Sequence, residues 1–520
     1  DCNWTKNTGV YGGAFSYGKS NTVKYIQLEF ENCHFENNQA TGPQGGALHI
    51  TTVSPVDIKG CTFYNNKCVN NIQNLADNDQ ALGGAIYFDT NSTFVNIINT
   101  TFRKNSAQNG NAIFISERAP YIEISDTHFL SNSNGNVGAQ VAHQGVELRA
   151  VSTNFDYQVV TLHSKGVDIL SKSKTTFIDC NFTLCETPYD KGGALFVQDQ
   201  LNSPNNEDLS LQHCIFDNCN SSEGSAIYAS LSTKPTIERC IIKNNNQGCS
   251  IFVFKFAETI NEINISYCEF IGNEYLNTEE KIDGSGAGIL ISNVINIVFH
   301  RCEFIGNKAE YAGGALAYSQ ESELKENIYL QFEQCYFEEN VCNGKYGGAL
   351  YLTNSKEPVL ETKILVCLFI NNRPLASRGL KGGDIYIDGQ SAKVLIEGSA
   401  FQSSLTQIEE GNAIYCSSNA ESFTLSSAAF NNCGKQGTVI VFYAKENQFI
   451  RSNLMLDEAA TEKSAHGVAI YLSSESTTTN IQDCSFVNCF FNSQDDTVGS
   501  DGFSRRSSVA GRVDLLLCIE

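Results

Sequence analysis

Residues 328–352 read IYLQFEQCYFEENVCNGKYGGALYL, and the order of apolar residues in this stretch decides the fold. Apolar and polar residues alternate up to Phe332 and again beyond Gly347, a spacing typical of β-strands with one buried face. Phe332 precedes Cys335 by three residues rather than two, so the backbone must bend there to keep both side chains inside. The stretch predicts three short strands joined by bends.

A similar pattern recurs about every thirty residues along most of the chain, about seventeen times in all. Phenylalanine follows two residues after the cysteine position in most copies, and the only tryptophan and only methionine, Trp4 and Met455, are assigned to that column. Such a repeat predicts a solenoid rather than a set of globular domains. The cysteine position of successive copies is assigned to Cys2, Cys33, Cys61, Thr100, Thr127, Thr153, Cys180, Cys214, Cys240, Cys268, Cys302, Cys335, Cys367, Ser399, Ala428, Asn453 and Cys484.

Glycine opens the third strand of nearly every copy, from Gly12 to Gly467, which indicates a corner with a positive φ angle. Asparagine stands five residues after the cysteine position in many copies. Stacked side-chain amides can hydrogen-bond to one another from rung to rung, so this column predicts an asparagine ladder. Its members include Asn38, Asn66, Asn245, Asn273, Asn307, Asn340 and Asn372.

These repeats resemble the right-handed parallel β-helix, an all-β solenoid, with about seventeen rungs of roughly thirty residues and three short strands per rung. The motifs GGA[IL] and FxxN resemble the repeats of chlamydial polymorphic outer membrane proteins, and similar repeats occur in large surface proteins of protists. The resemblance implies an adhesive passenger of a surface protein. Strict GGA occurs at Gly12, Gly45, Gly83, Gly192, Gly313 and Gly347, and FxxN at Phe35–Asn38, Phe63–Asn66 and Phe270–Asn273.

The repeat predicts one β-helix over residues 1–490, and residues 491–520 are expected to form an irregular segment or an incomplete last rung. Cys2 already belongs to a rung, with no capping element before it. Because a bare solenoid end invites edge-to-edge association, we expect the chain to be a processed or partial piece of a longer protein.

The formal net charge of −22 disfavours nucleic acid or an anionic membrane as a partner, because both require basic patches. No stretch approaches eighteen apolar residues, so we expect no direct insertion into a membrane. The acidity is read as a means of keeping a long rod soluble. Calcium binding between rungs is the alternative, although no Asp-x-Asp-x-Asp spacing supports it.

The twenty cysteines allow two interpretations. Eleven occupy the inward column, where small thiols pack well, and this predicts a ladder of free thiols. Alternatively, cysteines pair in an oxidising compartment. No CxxC motif points to zinc or thiol redox chemistry. The candidate disulfides are Cys61 with Cys68, Cys335 with Cys342, and Cys185 with Cys219.

Six N-x-S/T sequons are candidate N-glycosylation sites, and all six are expected to face solvent. Chance alone would supply about this number in a chain so rich in Asn, Ser and Thr, so use of the sites depends on secretion. The sequons begin at Asn3, Asn91, Asn99, Asn181, Asn220 and Asn264.

No catalytic, cofactor-binding or metal-binding residues are predicted. Lyases and hydrolases on this fold need clustered carboxylates on one exposed sheet, whereas the histidines here, such as His34 and His300, are dispersed. Asp384 replaces the alanine of one glycine motif, but it stands alone in the sequence. We therefore expect no enzyme, and a polysaccharide lyase or hydrolase of the pectin-lyase type is the alternative.

The third strand carries a column of residues expected to point outward, with aliphatic residues on either side pointing inward. Stacked aromatic rings on a flat sheet suit a sugar or a protein partner, or else they only stabilise the sheet. The candidate binding face consists of Tyr87, Tyr228, Tyr351, Tyr386, Tyr415 and Tyr471, in a column that also contains His49, Phe114, Phe196 and Phe252.

Together these features predict a non-catalytic, extracellular or cell-surface β-helix rod with a structural or adhesive role. It would serve as a surface stalk or as a subunit of a filament or coat, and its partners would be other surface or filament proteins, or further copies of itself. The alternative is an adhesin that binds a glycan or a protein ligand.

Overall fold

The computed structural model describes the chain as two compact units, Asp1–Phe256 and Ala257–Glu520. The described residues form β-strands and short turns. No helix among them is long and apolar enough to span a membrane. The described ranges are 1–18, 27–51, 55–69, 80–89, 94–119, 121–133, 138–156, 165–169, 173–198, 209–230, 235–254, 262–275, 285–320, 326–354, 359–389, 391–402, 407–417, 419–433, 436–455, 470–472 and 478–487.

Each rung of the first unit contributes one strand to each of three parallel sheets. First strands are Leu28–Glu31, Val56–Lys59, Val95–Ile98, Ile122–Ser125, Glu147–Val151, Lys174–Ile178, Leu209–Gln212 and Thr236–Glu238. Second strands are Asn3–Thr5, His34–Glu36, Thr62–Tyr64, Thr101–Arg103, His128–Leu130, Asn154–Asp156, Asn181–Thr183, Ile215–Asp217 and Ile241–Lys243. Third strands are Phe15–Tyr17, Leu48–Ile50, Ile86–Phe88, Ile113–Ile115, Ala139–His143, Lys165–Ile169, Leu195–Gln198, Ile227–Ser230 and Ile251–Phe254. Short strands at a corner are Thr8–Gly9, Gln39–Ala40, Lys67–Cys68, Glu186–Lys191 and Asn220–Glu223.

The second unit repeats this plan. First strands are Glu262–Ser266, Asn296–His300, Ile328–Glu333, Leu360–Leu365, Lys393–Glu397, Ser422–Ser426, Glu446–Ile450 and Thr478–Gln482. Second strands are Glu269–Ile271, Glu303–Ile305, Tyr336–Glu338, Leu368–Ile370, Ala400–Gln402, Ala429–Asn431, Asn453–Met455 and Ser485–Val487. Third strands are Ile289–Ser292, Leu316–Ser319, Leu350–Asn354, Ile385–Gly389, Gln407–Cys416, Gln436–Phe442 and Ile470–Leu472. The corner strands are Glu274–Tyr275, Lys308–Ala309, Val341–Cys342 and Arg373–Pro374.

Neighbouring rungs pair in parallel and in register, so equivalent residues lie directly opposite one another. Phe337, for example, pairs with Phe304 on one side and with Phe369 on the other. The predicted fold class, an all-β parallel β-helix with three strands per rung, is confirmed.

The predicted bend before the cysteine position is a residue in the left-handed region. Gln334 has a φ of 54°, and this single residue turns Phe332 and Cys335 to the same side of the chain. A second left-handed residue precedes the asparagine column, and a glycine forms the third corner. At Gly347, with a φ of 57°, an added Cβ would lie 2.1 Å from the carbonyl oxygen of Leu350, so no other residue fits there.

The phenylalanine column forms the centre of the core. Successive rings stack with centroids 4.6 Å apart from Phe35 to Phe63 and 4.9 Å apart from Phe304 to Phe337, and all four are fully buried. The assignment of Met455 to this column is wrong. Leu454 pairs with Phe430 and is buried, whereas Met455 points outward and is 44% exposed, because the left-handed bend falls one residue earlier, at Arg451.

The cysteine position is a hydrogen-bond donor rather than simply a small apolar side chain. The Sγ of Cys302 donates to the carbonyl of Ile265 on the previous rung at 3.3 Å and to that of His300 at 3.6 Å. Thr100 and Ser399 occupy the position in other rungs, and their hydroxyls donate to the carbonyl two residues earlier. Cys, Thr and Ser therefore interchange here because each donates a further hydrogen bond to a corner carbonyl that also accepts a backbone N–H, as that of His300 accepts from Tyr267.

We expect Cys302→Thr to change the free energy of unfolding by less than about 1 kcal/mol, and Cys302→Val to lower it by a further ~1 kcal/mol. Threonine and valine have nearly the same shape, but only threonine can donate a hydrogen bond to the carbonyls of Ile265 and His300. Urea denaturation of the two variants measures the difference, and equal stabilities would contradict the donor role.

The asparagine ladder is present in both units. In the second unit, Nδ2 of Asn273 donates to Oδ1 of Asn307, Asn307 to Asn340, and Asn340 to Asn372, each at 2.9 Å. The second hydrogen of each Nδ2 from Asn307 onward binds the carbonyl of a phenylalanine on an earlier rung, as Asn340 binds Phe304. In the first unit the ladder runs through Asn7, Asn38, Asn66, Asn105 and Asn132.

Replacing one ladder residue should leave several buried groups without partners. We expect Asn340→Ala to lower the free energy of unfolding by about 2–4 kcal/mol, because it strands the amide groups of Asn307 and the carbonyl of Phe304. Asn431→Ala, on the exposed face of a second strand, is the matched control and should cost less than about 0.5 kcal/mol. Similar losses for both variants in chemical denaturation would argue against the ladder.

Candidate binding face

The candidate binding face is the outward column of the third strands, called here the aromatic column. Alternation along each strand places Ile86 and Phe88 fully inside and directs Tyr87 to the opposite side. Parallel register then aligns Tyr87 with His49 and Phe114, and aligns Tyr386 with its neighbours in the second unit. Its described ring-bearing members are His49, Tyr87, Phe114, Phe196, Tyr228, Phe252, Tyr351, Tyr386 and Tyr415. The same position holds Ser16, Ala142, Asp168, Leu290, Ala317 and Val441 in other rungs.

The rings of this column stack on one another. Tyr351 and Tyr386 have centroids 5.5 Å apart with 17° between their planes, and Tyr386 and Tyr415 are 5.2 Å apart and nearly parallel. In the first unit Phe196 and Tyr228 are 5.3 Å apart. The ring faces are therefore occupied by neighbouring rings, and only edges and hydroxyl groups point toward solvent.

A second side chain covers most of these rings, which explains why Tyr386 is only 9% exposed although it points away from the core. This cover position is the residue immediately before the first glycine of the motif. Tyr346 covers Tyr386 at a centroid distance of 4.7 Å, and Leu82 packs against the cluster of Tyr87, Phe114 and Ala142. The sequence analysis missed the cover position, although an apolar, aromatic or lysine residue before the glycine would have indicated it.

Lysine at the cover position adds charge to the contact. Lys381 Nζ lies 4.5 Å from the ring centroid of Tyr415, donates to its hydroxyl at 3.1 Å and pairs with Glu410 at 3.1 Å. Burial opposes the charge, but the bonds with Tyr415 and Glu410 outweigh it and raise the pKa of Lys381. Lys191 makes the same contacts with Tyr228 and Glu223 in the first unit.

The tyrosines of the column are neutral hydrogen-bonding groups. Burial raises the pKa of Tyr87 to about 12, and it also raises the pKa values of Tyr351 and Tyr386. Their hydroxyls therefore act as donors and acceptors at neutral pH rather than as bases or nucleophiles. The binding role predicted for the column stays a prediction, and the geometry limits it to contacts with ring edges and hydroxyls. The side chain of Tyr471 is outside the described part of the structure.

An ion pair replaces an aromatic ring in one rung of the column. Asp168 lies opposite Phe196, and its Oδ1 is 3.5 Å from Nζ of Lys165, which also lies 2.9 Å from Oδ2 of Asp190 and 4.1 Å from the Phe196 ring centroid. Lys165 and Asp168 are both buried. At Asp168 the paired charges of this cluster occupy the place of the missing aromatic ring, and we assign the cluster a structural role.

Two of the predicted disulfides join positions that the fold keeps apart. Cys61 stands at the cysteine position, and its Sγ donates to the carbonyls of Phe30 and Lys59. Cys68 packs at the next corner, in a cluster with Ala40, Ala81 and Ala107. Cys335 and Cys342 are separated in the same way, and burial raises the pKa of Cys342 to about 12. Neither pair forms a disulfide. The two cysteines of each pair are seven positions apart, and the chain turns a corner between them.

The third predicted pair, Cys185 and Cys219, lies on neighbouring rungs as expected, but both residues carry thiols. They occupy the asparagine column, and each Sγ donates to a phenylalanine carbonyl at 3.6 Å, Phe155 and Phe182 respectively. The thiols thus replace one of the two hydrogen bonds that an asparagine Nδ2 makes there.

The sequons differ in how available their amide nitrogens are. Asn3 and Asn99 are exposed. The Nδ2 atoms of Asn181, Asn220 and Asn264 donate to Asn154, Glu186 and Glu262 at 2.7, 3.3 and 3.1 Å, and Asn91 lies outside the described residues. Glycosylation stays a prediction for all six.

The charged side chains on the outer faces pair with one another from rung to rung. Asn96 and Gln27 both donate to Asp57, and Lys393 pairs with Glu421. Among the described residues, no group of three or more His, Cys, Asp or Glu side chains is placed to hold a metal ion.

Residues 134–281 match a family model described as a right-handed β-helix region. No curated protein and no solved structure is similar to the chain. The matched region supports the right-handed form of the parallel β-helix, and it does not distinguish among the functions found on that fold.

The lysine cover should contribute measurably to stability. We expect Lys381→Met to lower the free energy of unfolding by about 1 kcal/mol, since methionine keeps the packing on Tyr415 but loses the charge and the bonds to Tyr415 and Glu410. Lys393→Met, which removes a lysine that is 47% exposed from a surface ion pair 3.7 Å long, is the control and should change it by less than about 0.5 kcal/mol. A Lys381→Met variant as stable as the parent in urea would show that the cover is incidental.

Proposed function

We propose that this protein is a non-catalytic, extracellular or cell-surface β-helix with a structural or adhesive role. The proposal rests on the hydrogen bonds that link neighbouring rungs along the outer faces of the sheets. Polar side chains there, such as Asp57 and Asn96, hydrogen-bond to equivalent positions on the next rung. Side chains committed to cross-rung pairs stiffen the coil and are poorly suited to catalysis.

The repeats resemble those of chlamydial surface passengers and of large protist surface proteins, and this resemblance favours the same role. The acidic charge of −22 keeps such a surface soluble and disfavours nucleic acid as a partner. The partners that fit are other surface or filament proteins, including further copies of this chain.

The aromatic column of the second unit is the adhesive surface that the geometry favours. Tyr351, Tyr386 and Tyr415 align their ring edges, and Tyr311 and Tyr346 pack against Tyr351 at 6.3 and 6.2 Å. The neutral hydroxyls of Tyr351 and Tyr386 beside apolar ring edges can bind the hydroxyl groups of a glycan or the backbone of a protein, whereas that of Tyr415 already accepts from Lys381.

Imaging of the purified chain by electron microscopy in physiological buffer tests the structural role. We expect end-to-end or lateral assemblies, whereas isolated particles would favour a stalk or an adhesin.

Incubation with pectate and other acidic polysaccharides, with and without calcium, tests the enzymatic alternative. Calcium-dependent release of unsaturated products would overturn the proposal.

The adhesive surface is tested by removing hydroxyls while keeping the stacked rings. In a screen of immobilised glycans and immobilised copies of the chain, we expect the triple variant Tyr351→Phe, Tyr386→Phe and Tyr415→Phe to bind at least about tenfold more weakly than the parent. Tyr329→Phe, at an exposed tyrosine of a first strand outside the aromatic column, is the control. Unchanged binding of the triple variant to every ligand of the parent would exclude this surface.

A further inference from the structure

Both asparagine ladders end on a polar side chain in the position that alanine occupies in the GGA motif. The last asparagine of a ladder has one Nδ2 hydrogen that no further asparagine can accept. In the first unit Nδ2 of Asn132 donates to Oε1 of Gln140 at 3.0 Å. In the second unit Nδ2 of Asn372 donates to Oδ1 of Asp384 at 2.9 Å. The two caps do the same work, but only one of them can ionise.

Asp384 is fully buried, and among the described residues Asn372 is the group that bonds its carboxyl. Its backbone is held on both sides, since its N–H donates to Ala413 and its carbonyl accepts from Ala349 and Leu350. Its Oδ1 accepts from Asn372, while its Oδ2 has no hydrogen-bond partner among the described residues. A buried carboxylate oxygen without a partner is unfavourable, whereas a neutral acid avoids the charge.

The charged groups on the elements packed around Asp384 are engaged elsewhere. Arg373, on the corner strand of the same rung, is exposed. Lys381 and Glu410 pair with each other beside Tyr415 on the outward side. Burial therefore raises the pKa of Asp384 to about 8, although the hydrogen bond from Asn372 opposes the shift.

We propose that Asp384 is a proton-sensitive cap: as a neutral acid it closes the ladder of the second unit, and its ionisation weakens the rungs around it. Since the carboxyl group takes up its proton more readily when buried than when the chain is unfolded, its contribution to stability is fully present below pH ~4. This contribution is lost progressively as the pH rises from about 4 to about 8. Gln140 cannot ionise, so the ladder of the first unit is unaffected over the same range.

Hydrogen exchange of the intact chain between pH 6 and 8 tests the proposal, after correction for the intrinsic pH dependence of exchange. The reporters are the amide of Ala349, which donates to the Asp384 carbonyl, and the amide of Ala112, which donates to the Gln140 carbonyl. We expect the opening equilibrium at Ala349 to increase roughly tenfold or more across this range. That at Ala112 should not increase, because Gln140 cannot ionise and burial lowers the pKa of His143 on the same strand to about 3, so that His143 can only reduce opening as the pH rises. Equal behaviour of the two amides would overturn the proposal.

Two isosteric variants exchange the properties of the two caps. Asp384→Asn keeps the acceptor for Asn372 and should abolish the pH dependence at Ala349, whereas Gln140→Glu should introduce one at Ala112.

Difference infrared spectroscopy of the parent supplies a test that needs no variant to fold, because a buried neutral carboxyl at pH 6 gives a carboxylic-acid C=O band. A parent spectrum without that band, or an Asp384→Asn variant that keeps the pH dependence, would contradict the proposal.

Discussion

In-register stacking places each side chain against the equivalent side chains of the neighbouring rungs, and this geometry governs which residues can occupy each column. A residue in one rung faces the equivalent residue in the next, so a side chain can be repeated only if it both donates and accepts along the stack. Asparagine meets this requirement because its amide offers two hydrogens and an oxygen, and the bonds from Asn273 to Asn372 use all of them. Phenylalanine meets it without hydrogen bonds, through stacked faces.

The sequence predicted what repeats. The alternation around Phe332 and Cys335 gave the strands and the bend, the glycine column gave the third corner, and the asparagine column gave the ladder. Each of these signals appears in many rungs, so the repeats support one another. Met455 was misassigned where the pattern weakened, because Ser452 and Leu454 stand in this rung where other rungs carry cysteine and phenylalanine.

The sequence did not predict features that depend on two different columns. Tyr386 alternates as an outward residue, yet it is covered by Tyr346, which lies forty positions earlier and in the preceding rung. Likewise, Asp384 looks isolated along the chain, although the fold brings it to the end of the ladder at Asn372. Such contacts arise from the size of each rung and the placement of its corners, which a single-column pattern does not contain.

The residues at the cysteine position also bear on the chemical environment in which the fold can exist. Thiols such as Cys302 already use their protons in the hydrogen bonds of the corners, and burial raises the pKa of Cys61 to about 11, which disfavours the thiolate of Cys61. Of the described cysteines, only Cys2 is exposed and Cys484 half-buried. Among the described cysteines the hydrogen-bonded thiol is thus the form that the fold uses, so oxidation of one of them would remove a hydrogen bond from a corner.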